Sequence, residues 1–130
     1  MIIKNENDLQ NYIYNSRLQK AYKLNDIYVS KAGAVVSIKP AKNRGYKIKD
    51  VSVTKGIKGL LKFNYCEDNK ITTILLHKII YDTFSKEKSK HGEICFIDGN
   101  NNNCSFDNLI TVSELLNYYK QNNNINKSVG

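Results

Sequence analysis

The residues best equipped for chemistry crowd between positions 91 and 117: His91, Cys95, Asp98, Cys104, Asn108 and Asn117, with an asparagine run at 100–103 among them. The Asp98 carboxylate could in principle bind a hard cation such as Mg²⁺. A neighbouring histidine can take a proton from water. A second chemistry uses the softer donors. His91, Cys95 and Cys104 follow an H-x3-C-x8-C spacing that suits Zn²⁺, although the fourth ligand would have to come from distant Cys66. Each residue also has a plainer role. Asp98, followed by Gly99 and Asn100, can hydrogen-bond its own loop and fix a turn. Free cysteines are more often buried than metal-bound, and a histidine in a charged loop is ordinarily just solvated. Phe96 stands among them, and a phenyl ring neither accepts a proton nor orients a water.

Such groups work only where the chain holds them. Residues 6–20 carry Leu9, Tyr12, Ile13 and Leu18 at roughly helical spacing without Pro or Gly, which predicts one amphipathic helix. The β-rich runs 27–30 and 34–38 flank Lys31-Ala32-Gly33, where the glycine marks a hairpin turn of positive φ. Pro40, the chain's only proline, ends that pair. Residues 46–54 alternate as a half-buried strand does, and Gly56 and Gly59 then break the pattern. Runs 60–65 and 70–75 form a second strand pair across Cys66-Glu67-Asp68-Asn69, which is good turn chemistry. Residues 76–85 set Leu76, Ile79, Ile80 and Phe84 on one helical stripe. Next come a charged loop (86–92), a strand (93–97), a polar loop (98–104) and a return strand (108–112). Ser113 is the expected N-cap of a helix running to about Tyr119, with Glu114 favourable in its first turn. The expected fold class is α+β: an N-terminal helix over 1–22, one domain over 23–120, and a polar, disordered tail over 121–130.

The chain's 130 residues suit one small domain, and 41% hydrophobic with 25% charged residues is ordinary for a soluble protein. No apolar run is long enough to span a membrane; the run at 74–81 is broken by His77 and Lys78. The start, MIIKNENDLQ, lacks the basic and apolar segments of a signal peptide. Three cysteines with no CxxC pair fit reduced thiols in a cytosol. The net charge of +8 is concentrated: Lys39, Lys42, Arg44, Lys47, Lys49, Lys55, Lys58 and Lys62 face only Asp50 in the window 39–62. A basic face of this kind is the electrostatic footprint of a polyanion binder, nucleic acid first. It is also what a merely solubilising surface looks like.

The stretch 94–117, ICFIDGNNNNCSFDNLITVSELLN, resembles the core of the HNH (ββα-metal) endonucleases of phage and homing type. Ile97, Asp98, Gly99, Asn100, Asn103, Asn108, Leu109, Val112, Ser113 and Asn117 sit at the spacing of that pattern. Two further segments resemble the same proteins: 27–38 is similar to their hairpin motif Y-x-V-S-x-x-G-x-V-x-S-L, and 75–84 to their helix V-H-R-L-V-A-x-A-F. The ordered set covers about residues 24–117. The resemblance implies a degenerate ββα-metal core behind small antiparallel hairpins. It places Asn117 on the helix metal ligand and Asn108 on the asparagine that orients the base. It places Cys95 on the metal-binding aspartate and Phe96 on the general-base histidine. Asp98, Asn117, His91 and Cys95 are the weak candidates for any metal, and His77 falls on a helix histidine distinct from the base. Phe96 is expected to pack against the helix that bears Leu115 and Leu116.

These readings imply no catalytic residue and no resident cofactor, with Mg²⁺ used only if the site is active. The leading expectation is a degenerate HNH-like protein of phage or mobile-element origin. It would bind DNA or RNA through its basic segment in the cytoplasm of a bacterial host, with no membrane role. A second expectation is a phage-encoded, anti-CRISPR-like inhibitor that binds a host defence nuclease or its guide RNA. A third is an active nicking endonuclease with an atypical site.

Overall fold

The computed structural model describes residues 1–42, 45–86 and 92–129, with side chains in the last helix described as far as Gln121. Arg44 and His91 lie outside the described residues, as does most of the expected charged loop.

The chain opens with a short strand, β1 (Ile2–Ile3), then helix α1 (Glu6–Asn15), then β2 (Leu18–Lys20), β3 (Ile27–Ser30), β4 (Val35–Pro40) and β5 (Tyr46–Asp50). These strands form one antiparallel sheet in the order β1-β5-β4-β3-β2. The helix is shorter than the 6–20 expected. Asn5 caps its start, the Oδ1 accepting from the Asp8 N–H at 2.8 Å, and Arg17 ends it in the left-handed region at φ 54°. Residues 18–20 then pair with β3, Leu18 opposite Ser30, instead of continuing the helix. β1 and β2 thus build the N-terminal segment into the sheet.

Side chains on β3 and β4 alternate between two cores, as a strand's two-residue period requires. Val36 and Ile38 turn to one face, where Ile3, Ile48 and Leu9 of α1 meet them. Ile27, Val29 and Val35 turn to the other and join the main core. Gly33 makes the β3–β4 turn at φ 101°, the conformation expected of it. Gly45 is required for a different reason: a Cβ there would lie 2.3 Å from the Ile3 carbonyl oxygen.

The run 46–54 does not stay in one strand. β5 stops at Asp50, where its pairing with β4 also runs out, and Thr54–Lys55 becomes β6 of a second sheet. There β7 (Leu61–Glu67) pairs with β6 and with β8 (Lys70–Leu75), in the order β6-β7-β8. Asp68 and Asn69, both at positive φ, make the tight β7–β8 turn.

Helix α2 (Leu76–Phe84) follows β8 without a break and lies at the centre of the main core, with Ile80 fully buried. Thr83 ties it to the first sheet: its Oγ1 accepts from the Tyr22 N–H at 3.1 Å and donates to the Ile79 carbonyl at 2.7 Å. The chain closes with β9 (Ile94–Phe96), β10 (Leu109–Thr111) and α3 (Val112–Val129). α3 runs past the expected end near Tyr119, and no Gly or Pro before Val129 interrupts it. Among the described residues no helix is long and apolar enough to cross a membrane.

Candidate nucleic-acid site

The last three elements form a ββα unit. β9 and β10 pair antiparallel, with Phe96 opposite Leu109, Cys95 opposite Ile110 and Ile94 opposite Thr111. The expected cap, Ser113, is not the one used. Thr111 Oγ1 accepts from the Glu114 N–H at 3.2 Å and donates to the Glu114 carboxylate at 3.0 Å, so the helix begins two residues earlier. Glu114 also accepts from the Tyr81 hydroxyl at 2.6 Å, which fastens the start of α3 to α2.

The asparagine-rich loop between β9 and β10 is rigidly wired. Asn108 is buried, and its amide nitrogen donates to Asp98 Oδ1 and to the Asn103 carbonyl, both at 2.9 Å. Its Oδ1 accepts from the Asp98 N–H at 3.0 Å. Asp98 Oδ1 also accepts from the Asn100 N–H at 2.8 Å, and its Oδ2 from the Asn103 side chain at 2.9 Å. These donors hold its carboxyl below the ordinary aspartate range, the Asn103 amide contributing most. Both carboxylate oxygens are therefore engaged in forming the loop. The β3–β4 turn docks on the far end of this loop: the Phe106 N–H donates to the Lys31 carbonyl at 2.7 Å, and Gly33 lies against Cys104.

Beside β9 runs a groove of about 710 Å³ whose lining includes Cys95, Phe96, His77, Lys58, Lys78 and Asn101. Phe96 is half-buried and packs against the main core. Its ring partner is His77 of α2, with centroids 5.1 Å apart and planes at 47°. His77 is only 6% exposed, and its Nδ1 is buried without a hydrogen-bond partner among the described residues. Burial first, and then the Lys78 charge, push the imidazole pKa below its ordinary value, so this ring is held neutral. Lys58 sits at φ 61° in a tight turn, and its carbonyl accepts from the Asn101 side chain at 3.1 Å.

A ββα unit with Asp and His on β9 would hold a divalent cation. The residues present do not fit one. A thiol, Cys95, is a poor ligand for a hard cation, Phe96 offers no donor, and Asn117 is exposed on α3. Among the described residues no three of His, Cys, Asp and Glu come together as a metal site. Among the described residues the zinc set is not assembled either: Cys66 is exposed on β7 and Cys104 is buried beneath the β3–β4 turn, while His91 lies outside those residues.

The basic window divides between the two sheets. Lys39 on β4 lies directly opposite Lys47 on β5, with Lys49 two residues along and Lys42 in the connection that follows β4. Lys55 on β6, Lys58 in the turn and Lys62 on β7 belong to the second sheet. Of the seven described basic residues singled out in the sequence, only Lys58 is among those lining the groove. Lys78 joins it there, unsignalled in the sequence because it lies on α2, outside the basic window.

The architecture has a counterpart among solved structures, that of the HNH homing endonuclease I-HmuI, a protein that binds and cleaves DNA. The match has a TM-score of 0.60 at 18% identity, over 82% of this chain and 58% of that one. The fold is HNH-endonuclease-like. At this identity the HNH likeness is one of fold alone, and the chain spans little more than half of the I-HmuI chain. No protein-family model matches the chain, and no curated protein does.

Proposed function

We propose that this chain is a catalytically degenerate HNH-like protein, of phage or mobile-element origin, that binds nucleic acid through its basic surface without cutting it. The observation that carries this reading is the pair Cys95–Phe96 at the end of β9. Where this fold needs a carboxylate and a base, it presents a thiol and a phenyl ring packed on a buried, neutral histidine.

The binding half of the proposal rests on charge placement. Like charges directly opposite on paired strands destabilise a sheet, yet Lys39 faces Lys47 on exposed positions. A polyanion that neutralises both removes that repulsion. Lys58 and Lys78 add positive charge beside the groove. Such binding weakens steeply as salt rises, because releasing counterions into concentrated salt gains less.

The test is a pair of assays on the full chain. Gel-shift titration with DNA and RNA duplexes and single strands, at several salt concentrations, should show salt-sensitive binding. Incubation of supercoiled plasmid with Mg²⁺ or Mn²⁺ should leave it uncut. Metal-dependent cleavage abolished by Asn117→Ala would overturn the degenerate-site reading. A host protein retained after thorough nuclease digestion would move the function to the inhibitor class.

A further inference from the structure

The second sheet ends at β8, and among the described residues no strand pairs with its outer side. Among the described residues no backbone bond from a turn or loop reaches residues 70–75 there either. Proteins usually blunt such an edge with a proline, a bulge, brevity or several charges. β8 has little of this. It is six residues, KITTIL, in unbroken register with β7 from Lys70 opposite Glu67 to Leu75 opposite Lys62. Ile71 is 74% exposed.

The turn decides which groups face outward. Asp68 and Asn69 form a two-residue turn closed by Glu67 and Lys70, so that closing pair is the hydrogen-bonded one. Hydrogen-bonded and open pairs alternate along an antiparallel ladder. Lys70, Thr72 and Ile74 therefore spend their backbone groups on β7. Ile71 and Thr73 turn theirs to the free edge, and so does the N–H of Leu75.

We propose that this edge is a self-association surface, joining two copies of the chain through antiparallel β8–β8 pairing about a two-fold axis at Thr73. Only residues that face outward on both strands can exchange bonds, so two-fold pairing must set residues of one parity against each other. With the axis at Thr73, all three outward residues are used: Thr73 meets Thr73 of the second copy, and Ile71 meets Leu75. On the alternate positions Thr72 meets Ile74. Lys70, the strand's one charge, falls beyond the end of the other strand and not against its own counterpart. Other axes do less. One at Ile71 or Leu75 would overlap fewer residues of β8, and one at Thr72 would leave Leu75 out and set Lys70 against Ile74. A groove of about 360 Å³ beside the edge, lined by Tyr22, Leu24, Thr73, Ile74 and Ile79 among others, leaves room for the second copy's Thr72.

The test is sedimentation equilibrium on the full chain from micromolar to several hundred micromolar, for the wild type and two variants. Thr73→Pro removes an outward N–H and leaves the β7 ladder intact, a place where an edge strand tolerates proline. Thr73→Lys sets two like charges across the axis, and is expected to weaken the dimer about tenfold or more. Circular dichroism should show both variants folded. A wild-type dimer lost in both variants supports the proposal. A wild type that stays monomeric throughout, or a dimer that survives either substitution with the fold intact, overturns it.

Discussion

The ring of Phe96 lies against the ring of His77, 5.1 Å between centroids, and both line the groove beside β9. On the reading proposed above, the contact makes a packed seam of a place that hydrolysis would need wet and polar. Phe96→Ala should leave that seam open and cost about 2 kcal/mol, below the range for a fully buried phenylalanine because this one is half-buried. Urea denaturation would measure it. Phe96→His combined with Cys95→Asp is expected to give weak Mn²⁺-dependent nicking, with neither single change sufficient.

The same pair sets a pH dependence. His77 has its folded pKa lowered by burial and by Lys78, from an ordinary value of 6.5. The unfolded chain therefore takes up its proton first, and stability falls as pH drops below about 6.5. Thermal melts between about pH 7.5 and 5 should show this decline in the wild type and a flatter profile in His77→Phe. Asp98 acts in a lower window. Its folded pKa lies below 3.8, so its contribution is present above that value and is lost as pH falls through the folded pKa. Carboxyl NMR titration should find Asp98 among the last acids to protonate.

Asn108 spends its whole side-chain amide on the loop, with three hydrogen bonds to Asp98 and Asn103. Asn108→Ala leaves those partners without it, at a cost of about 2–3 kcal/mol. Hydrogen exchange should show the Asp98 and Asn100 amides losing protection while the α2 core keeps its own.

Much of this was legible in the residues. The β3–β4 hairpin announced itself through Gly33, and the start of α2 through the stripe of Leu76, Ile79 and Ile80. What was hidden lacked any punctuation. Arg17 and Lys58 take left-handed conformations although neither is a Gly, Asn or Asp that would signal one, so neither the early end of α1 nor the lysine at the groove could be read. The division of residues 46–54 between two sheets depends on where β4 begins, since Asp50 pairs with Val36 near its start, and no local pattern encodes that. Thr111 displaced Ser113 as the cap because its hydroxyl, at the end of β10, reaches both the Glu114 N–H and the Glu114 carboxylate.

Cysteine reactivity should follow burial. Burial pushes the Cys104 thiol up to about 11, so at about pH 8 almost none of it is thiolate, whereas Cys66 is exposed. Timed alkylation read by mass spectrometry should modify Cys66 well before Cys104 in the native protein. Equal rates would mean that the loop around Cys104 opens on that timescale.

Lys39 and Lys47 allow stability and binding to be separated. They face each other across β4 and β5, so Lys39→Glu turns a repulsive pair into an attractive one. The sheet should gain about 0.5 kcal/mol, while affinity for nucleic acid falls and the slope of log K against log salt shrinks by about one for each lost phosphate contact. A merely solubilising surface would show the gain in stability with no change in binding. Reversal of Lys47, Lys49, Lys55 and Lys58 to Glu extends the measurement to both sheets, and unchanged affinity after it would remove this surface from the function.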